Sequence, residues 1–275
     1  MWTLWLFGVA HEYTSVIEQH SLRHAGATLA AMVNPFRRWF GRSRDAQVWA
    51  AAAEWAEAGG HRFARSRDGS GFIVEAGEAA SAWRLEWGSA QRHYFDGPEL
   101  RLRADVGATG DLQMLVIGRE LMVRLEQQVF EESTDGTETR MDDDLPEEMR
   151  WLVLYSKLPR AELGVLRERF GALANLPGAA LSWLDPALTQ QLDATTTWLS
   201  SAPALLLVLQ RGRLTLRCAL AQPEVSALKS ARALFDAALS ASRRVGAEIA
   251  QGSAGGDRPS NWGPRSAMPI EVPPR

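Results

Sequence analysis

Residues 61–87 read HRFARSRDGSGFIVEAGEAASAWRLEW. Asp68-Gly69 supplies the positive φ that a tight hairpin turn demands, between two runs of strand composition, HRFARS and GFIVEA. The next run, AWRLEW, alternates strictly: Trp83, Leu85 and Trp87 fall on one side, Arg84 and Glu86 on the other. Beyond Gly97-Pro98, ELRLRADV repeats the pattern, with Leu100, Leu102 and Ala104 facing inward and Arg101 and Arg103 outward. Four such segments joined by short turns predict an antiparallel meander with one solvated face, the arrangement that favours strict alternation. On that face Arg101 and Arg103 pair with Glu86, each cross-strand pair contributing roughly 0.2–1 kcal/mol.

Outward from the meander, Val48, Ala52, Trp55 and Ala56 recur at helical spacing, and Gly59-Gly60 ends that helix. LQMLVI reads as a further strand, and RELMVRLEQQVFEE puts Leu121, Met122, Leu125 and Val129 on one helical stripe that lies across the sheet. These elements make a first α+β lobe over residues 45–140. A second lobe, 141–250, opens with MDDDLPEEMRWLVLYSK. There Asp144 and Glu147 have capping-box spacing, and the following RWLVLYSK reads as a buried strand. PRAELGVLRERFGAL reads as an amphipathic helix opened by Pro159. Asp185 caps a helix whose first residue is Pro186. ALLLVLQ and RLTLRCAL form a hairpin at Arg211-Gly212, followed by a long helix from Glu224 to about residue 250. The fold class is therefore α+β: an antiparallel meander packed with helices, in two small lobes that each contain a helix followed by a β-hairpin. The resemblance of 45–76 to 186–219 in this respect suggests a duplicated architecture.

The ends read differently. Residues 251–275, rich in Gly, Pro and Ser, are expected to be a disordered tail. Residues 1–44 form an N-terminal extension, within which Met32 has the look of the natural start. MWTLWLFGVA is apolar for only about ten residues, whereas a membrane-spanning helix needs about 20, so no integral membrane segment is expected.

Composition removes several classes of function. With 275 residues and 46% hydrophobic content the chain can bury a sizeable core, and a net charge of -3 offers no general attraction to nucleic acid. Of the 30 basic residues only Lys157 and Lys229 are lysines, a bias that reads as base composition of the genome. Cys218 is the one cysteine, so no intrachain disulfide forms, in keeping with a reducing, cytoplasmic setting. The stacking face that single-stranded nucleic acid requires is also missing, because tryptophans and arginines fall on opposite sides of their strands. Phosphate-cradling GxxxxGK[ST] and GxGxxG loops, the GxSxG elbow and HExxH are all absent from the sequence.

Two constellations remain. His61, His93 and Asp96 lie near strand ends of the meander and could form a general-base or weak metal site; the plainer reading is two surface histidines. The carboxylates Asp142, Asp143, Asp144, Glu147 and Glu148 could attract an ion, but three successive aspartates point in different directions, and helix punctuation accounts for most of the charge. No cofactor and no metal is assigned.

The stretches EEMRWLVLYSKLPRAELGVLRERFGAL and WRLEWGSAQRHYFDGPELRLRADV resemble a family of bacterial hypothetical proteins, over most of residues 34–247. YSKLP is also similar to a bacterial domain of unknown function in which a Tyr-Ser-x-Asp-Pro turn precedes a helix; Leu158 stands here in place of the aspartate. Neither resemblance implies a catalytic residue. The function expected is that of a noncatalytic protein-binding or adaptor module, presenting a sheet edge or interlobe groove to another protein. The alternatives are an enzyme using His61, His93 and Asp96, and a membrane-peripheral protein anchored by residues 36–40 through Phe36, Trp39 and Phe40.

Overall fold

The computed structural model describes residues 47–77, 82–107, 112–134, 146–199 and 203–255. The extension, the proposed start at Met32, the aromatic patch at 36–40, the aspartates 142–144 and residues 256–275 of the tail lie outside them.

The chain is an α+β protein built on one eight-stranded antiparallel sheet. Helix α1 (residues 47–58) precedes β1 (Arg62–Arg65), β2 (Phe72–Ala76), β3 (Trp83–Gly88), β4 (Glu99–Asp105) and β5 (Met114–Gly118). Then come α2 (Arg119–Thr134), α3 (Glu147–Leu154), β6 (Phe170–Ala174), α4 (Pro177–Trp183), α5 (Pro186–Asp193), β7 (Leu205–Gln210), β8 (Arg213–Ala219) and α6 (Val225–Gly255). The strands lie in the order β1-β2-β3-β4-β8-β7-β5-β6. The predicted meander is thus present, and β8 continues it by pairing along the whole of β4, from Glu99↔Ala219 to Asp105↔Arg213.

Turn chemistry explains the hairpins. Between β1 and β2, Gly69 takes φ +68°, and Asp68 accepts from the Ser70 amide at 3.1 Å. Between β7 and β8 the two turn residues, Arg211 and Gly212, both have positive φ, 48° and 70°. Two such residues make the primed turn whose twist matches that of the strands it joins.

One sheet face is apolar from edge to edge. Phe72, Trp83, Leu85, Trp87, Leu100, Leu102, Leu214, Leu216 and Cys218 are buried there with Met114, Phe170 and Leu207, beneath α1, α4, α5 and α6. Trp83 and Trp87 are core residues, as their strand pattern predicted. The opposite face is divided. Over β5, β6 and β7 it is apolar and carries α2 and α3, which bury Leu115, Ile117, Leu173 and Leu206. Over β1 to β4 and β8 no helix of the described residues covers it. β5 runs directly into α2 at Gly118, where a Cβ would stand 1.8 Å from the Pro203 carbonyl oxygen.

Two readings from sequence are corrected. RWLVLYSK is not a strand: its residues lie in α3 up to Leu154, with Trp151 and Leu152 buried and Val153 and Leu154 exposed. A short apolar run fits either period, and helical spacing decided this one because only one side has a partner. The helix opens at Pro146 with no side-chain cap bond, and Asp144 of the expected capping box lies outside the described residues. PRAELGVLRERFGAL is not one α-helix either. A 3-10 segment, Arg160–Glu168, buries Leu163 and Leu166 at a spacing of three, Gly164 interrupts it at φ 52°, and FGALA becomes β6. The outer side of β6 is partly closed by the preceding chain, through a Lys157↔Leu173 bridge and a 2.8 Å bond from Leu158 N–H to the Ala172 carbonyl.

Candidate functional site

The part of the sheet that no described helix covers presents ordered rows of charge. Register aligns Arg62, Glu75, Arg84, Arg103 and Thr215 in one row, and Glu86, Arg101 and Arg217 in the next. Asp105 and Arg213 face each other beside them. Like charges directly opposite on paired strands, such as Arg84 and Arg103, are unfavourable by themselves. Glu86 offsets that repulsion. Its carboxylate accepts from Arg84 Nε, from Arg101 Nη2 and, at 3.2 Å, from Arg103 Nη2. Burial works to raise the Glu86 pKa, but the hydrogen bonds of Arg84 and Arg101 and the charges of Arg101 and Arg103 outweigh it and hold the carboxyl below its ordinary value.

On the same face, two residues along β4 from Arg101, Glu99 is fully buried. It accepts from Arg217 Nη1 at 2.5 Å and from the Gln91 amide at 2.7 Å, and it lies 3.6 Å from Arg101 Nη1. In all, Arg62, Arg84, Arg101, Arg103, Arg213 and Arg217 stand against Glu75, Glu86, Glu99 and Asp105, an excess of two positive charges. A cavity of about 170 Å³ opens among these side chains, with Gln91 and Thr215 in its wall. A wider groove of about 810 Å³ adjoins it and shares Arg84, Arg103 and Arg213.

The border with the helix-covered half is a second charged cluster, one that sequence reasoning missed. Glu148 of α3 is buried and receives Tyr94 Oη–H at 2.5 Å and Arg92 Nε–H at 2.7 Å. Burial opposes ionisation of Glu148, but the Tyr94 bond and the Arg92 charge hold its carboxyl below the ordinary value. Burial, with the neighbouring Glu148 charge, pushes the Tyr94 hydroxyl well above its ordinary value. The cluster ties α3 to the β3–β4 loop. Only the spacing of acids at the start of α3 hinted at it in sequence.

His61, His93 and Asp96 are not brought together. His61 packs edge-on against Trp83, with ring centroids 4.9 Å apart, and against Trp55, on the face beneath α6; burial and Arg232 lower its pKa. His93 stands on the other face, with Nε2 3.1 Å from the Gln128 amide of α2. Asp96 is almost wholly exposed, 3.7 Å from Arg124. Cys218 is sealed in the core, where burial pushes its thiol pKa far up. Among the described residues no group of three or more His, Cys, Asp or Glu side chains is placed to hold a metal ion, and no helix is long and apolar enough to cross a membrane.

No family model matches the chain. No curated protein matches it either. Among solved structures, the mycobacterial trehalose monomycolate transport factor A, TtfA, is similar over 68% of this chain and 92% of its own, with 9% identity and a TM-score of 0.37. A likeness at that level carries no argument about function. The charged sheet face therefore stands on its own geometry.

Proposed function

We propose that this protein is a noncatalytic binding module that receives an acidic protein partner on the half of its sheet that no described helix covers. The observation that carries the reading is the division of one sheet face into a part covered by α2 and α3 and a bare part with six arginines and four carboxylates. Arginine is the residue suited to such contact, since its planar fork meets a carboxylate with two parallel bonds. The separation of His61 from His93 favours binding over acid–base catalysis. The interspersed carboxylates, Glu75, Glu86 and Asp105, suit an acidic protein that also carries some cationic groups better than a continuous polyanion.

The test is residue-specific crosslinking in cells of the native host. A photoreactive residue at Thr215, on the bare face, is expected to capture one stoichiometric partner, and the same group at Val153, on the outer side of α3, is not. Binding of that partner weakens as salt rises and is lost in Arg213→Glu. Capture at Val153 alone, or a partner indifferent to Arg213→Glu, overturns the proposal.

A further inference from the structure

The cavity among the arginines has properties that a partner of mixed charge does not require. Five guanidinium groups, Arg84, Arg101, Arg103, Arg213 and Arg217, surround a space whose wall holds a single carboxylate, Glu86. Their donors are only partly used. Arg103 bonds through Nη2 to Glu86, Arg213 through Nε to Asp105 and Arg217 through Nη1 to Glu99. A guanidinium carries five N–H donors in a fixed fork, so each of these keeps capacity for another acceptor. Arg101 Nη1 is buried and makes no hydrogen bond, although the Glu99 carboxylate lies 3.6 Å away as an ion-pair partner. A buried donor without an acceptor is costly, and proteins leave few of them.

Size and charge agree on what would complete the site. A volume of about 170 Å³ is five or six times the share of one water in the liquid, about 30 Å³, which suits a tetrahedral oxyanion and its first substituent. The six arginines and four carboxylates of the whole face leave two positive charges over, which one dianion would neutralise. A monocarboxylate would leave one uncompensated.

We infer that this cavity is an oxyanion site that takes a dianionic group of the phosphate type. It deepens the binding-module reading and rests on the same sheet face. The group would accept from Arg103 and Arg213 at the mouth and from Arg101 at the floor, with Thr215 Oγ–H as a neutral donor in the wall. Glu86 would stay ionised beneath it, holding three guanidiniums in fixed orientations.

Calorimetric titration of the full chain with inorganic phosphate, sulfate, O-phosphoserine and acetate, at ionic strength held constant with chloride, tests the site without any partner. Phosphate and sulfate are expected to bind at one saturable site, and acetate at least tenfold more weakly. Arg103→Gln combined with Arg213→Gln is expected to weaken phosphate at least tenfold. Both side chains are about half exposed or more, at 48% and 61%, so the variant keeps its fold, which an unchanged tryptophan emission spectrum verifies. Arginine side-chain nitrogen resonances of the unaltered protein provide a second readout, in which Arg101 shifts on adding phosphate. Tighter binding of O-phosphoserine than of phosphate assigns the site to a phosphorylated side chain; the reverse assigns it to the free anion. Equal affinity for acetate, undiminished binding in the double variant, or no saturation overturns the inference. If anions fail while crosslinking at Thr215 succeeds, the module reading stands without this site; if anions bind and no partner is captured, the module reading falls alone.

Discussion

The two halves of a single sheet face solve the same problem in opposite ways. Over β5 to β7 the outward residues are Leu115, Ile117, Leu173 and Leu206, and two helices cover them. Over β2 to β4 and β8 the outward residues are dominated by arginines and glutamates that pair with one another across the ladder. The backbone is the same; the difference lies only in which side chains occupy the outward positions. Cover by a helix makes a strand apolar on both sides, whereas a solvated face makes it alternate. The charged character of the half that no described helix covers is thus built into the strand sequences themselves.

The sharpest contrast between the halves is a truncation in the covered one. Leu173→Ala empties a fully buried position under α2 and α3 and is expected to cost about 2–5 kcal/mol, measured by denaturant unfolding. At the border, Glu148→Gln leaves Arg92 without its buried counter-charge. Because Arg92 is about one-third exposed, the cost is expected to be roughly 2–3 kcal/mol, below the full value for a buried pair. That substitution also has a pH signature. The Glu148 carboxyl is held below its ordinary value of 4.5, so its contribution is complete above that value and is lost as pH falls through the lower folded-state value. Wild type and variant should therefore converge in stability on acidification, and parallel curves would refute the role given to Glu148.

On the bare half, Glu86→Gln leaves three guanidiniums facing one another. A loss of roughly 1–2 kcal/mol at low salt is expected, shrinking as sodium chloride is added. Arg103→Ala, at a half-exposed position in the same network, should cost only about 0.2–1 kcal/mol. A cost as large as that of Leu173→Ala would erase the distinction drawn between the halves. The smallest effect has the opposite sign. Arg211 occupies the left-handed region at φ 48°, and Arg211→Asn, a residue that tolerates it, should stabilise the β7–β8 hairpin by about 0.5 kcal/mol.

The same contrast governs what could be read from sequence. Strands that alternate, β3, β4 and β8, and turns with their own chemistry, at Asp68-Gly69 and Arg211-Gly212, were legible because the signal is local. The pairing of Arg101 and Arg103 with Glu86 followed from the same alternation. β6 is buried along its whole length, so FGALA kept no period to separate it from a helix, and α3 was mistaken for a strand for the converse reason. Nothing local foretold that β8 would lie against β4, since the two are more than a hundred residues apart in the chain. That pairing brings Arg213 and Arg217 beside Arg101 and Arg103, so the densest part of the candidate site was invisible until the sheet was assembled.

The margins of the sheet have a bearing on how chains of this kind meet. An unpaired strand edge invites another chain to add itself, and that route leads to aggregation as readily as to recognition. β1 is only four residues long and carries Arg62 and Arg65, and the outer side of β6 is already partly bonded by residues 157 and 158. Strand addition is blunted at both ends of the sheet, which accords with the proposed encounter on the broad charged surface and removes one path to fibrils.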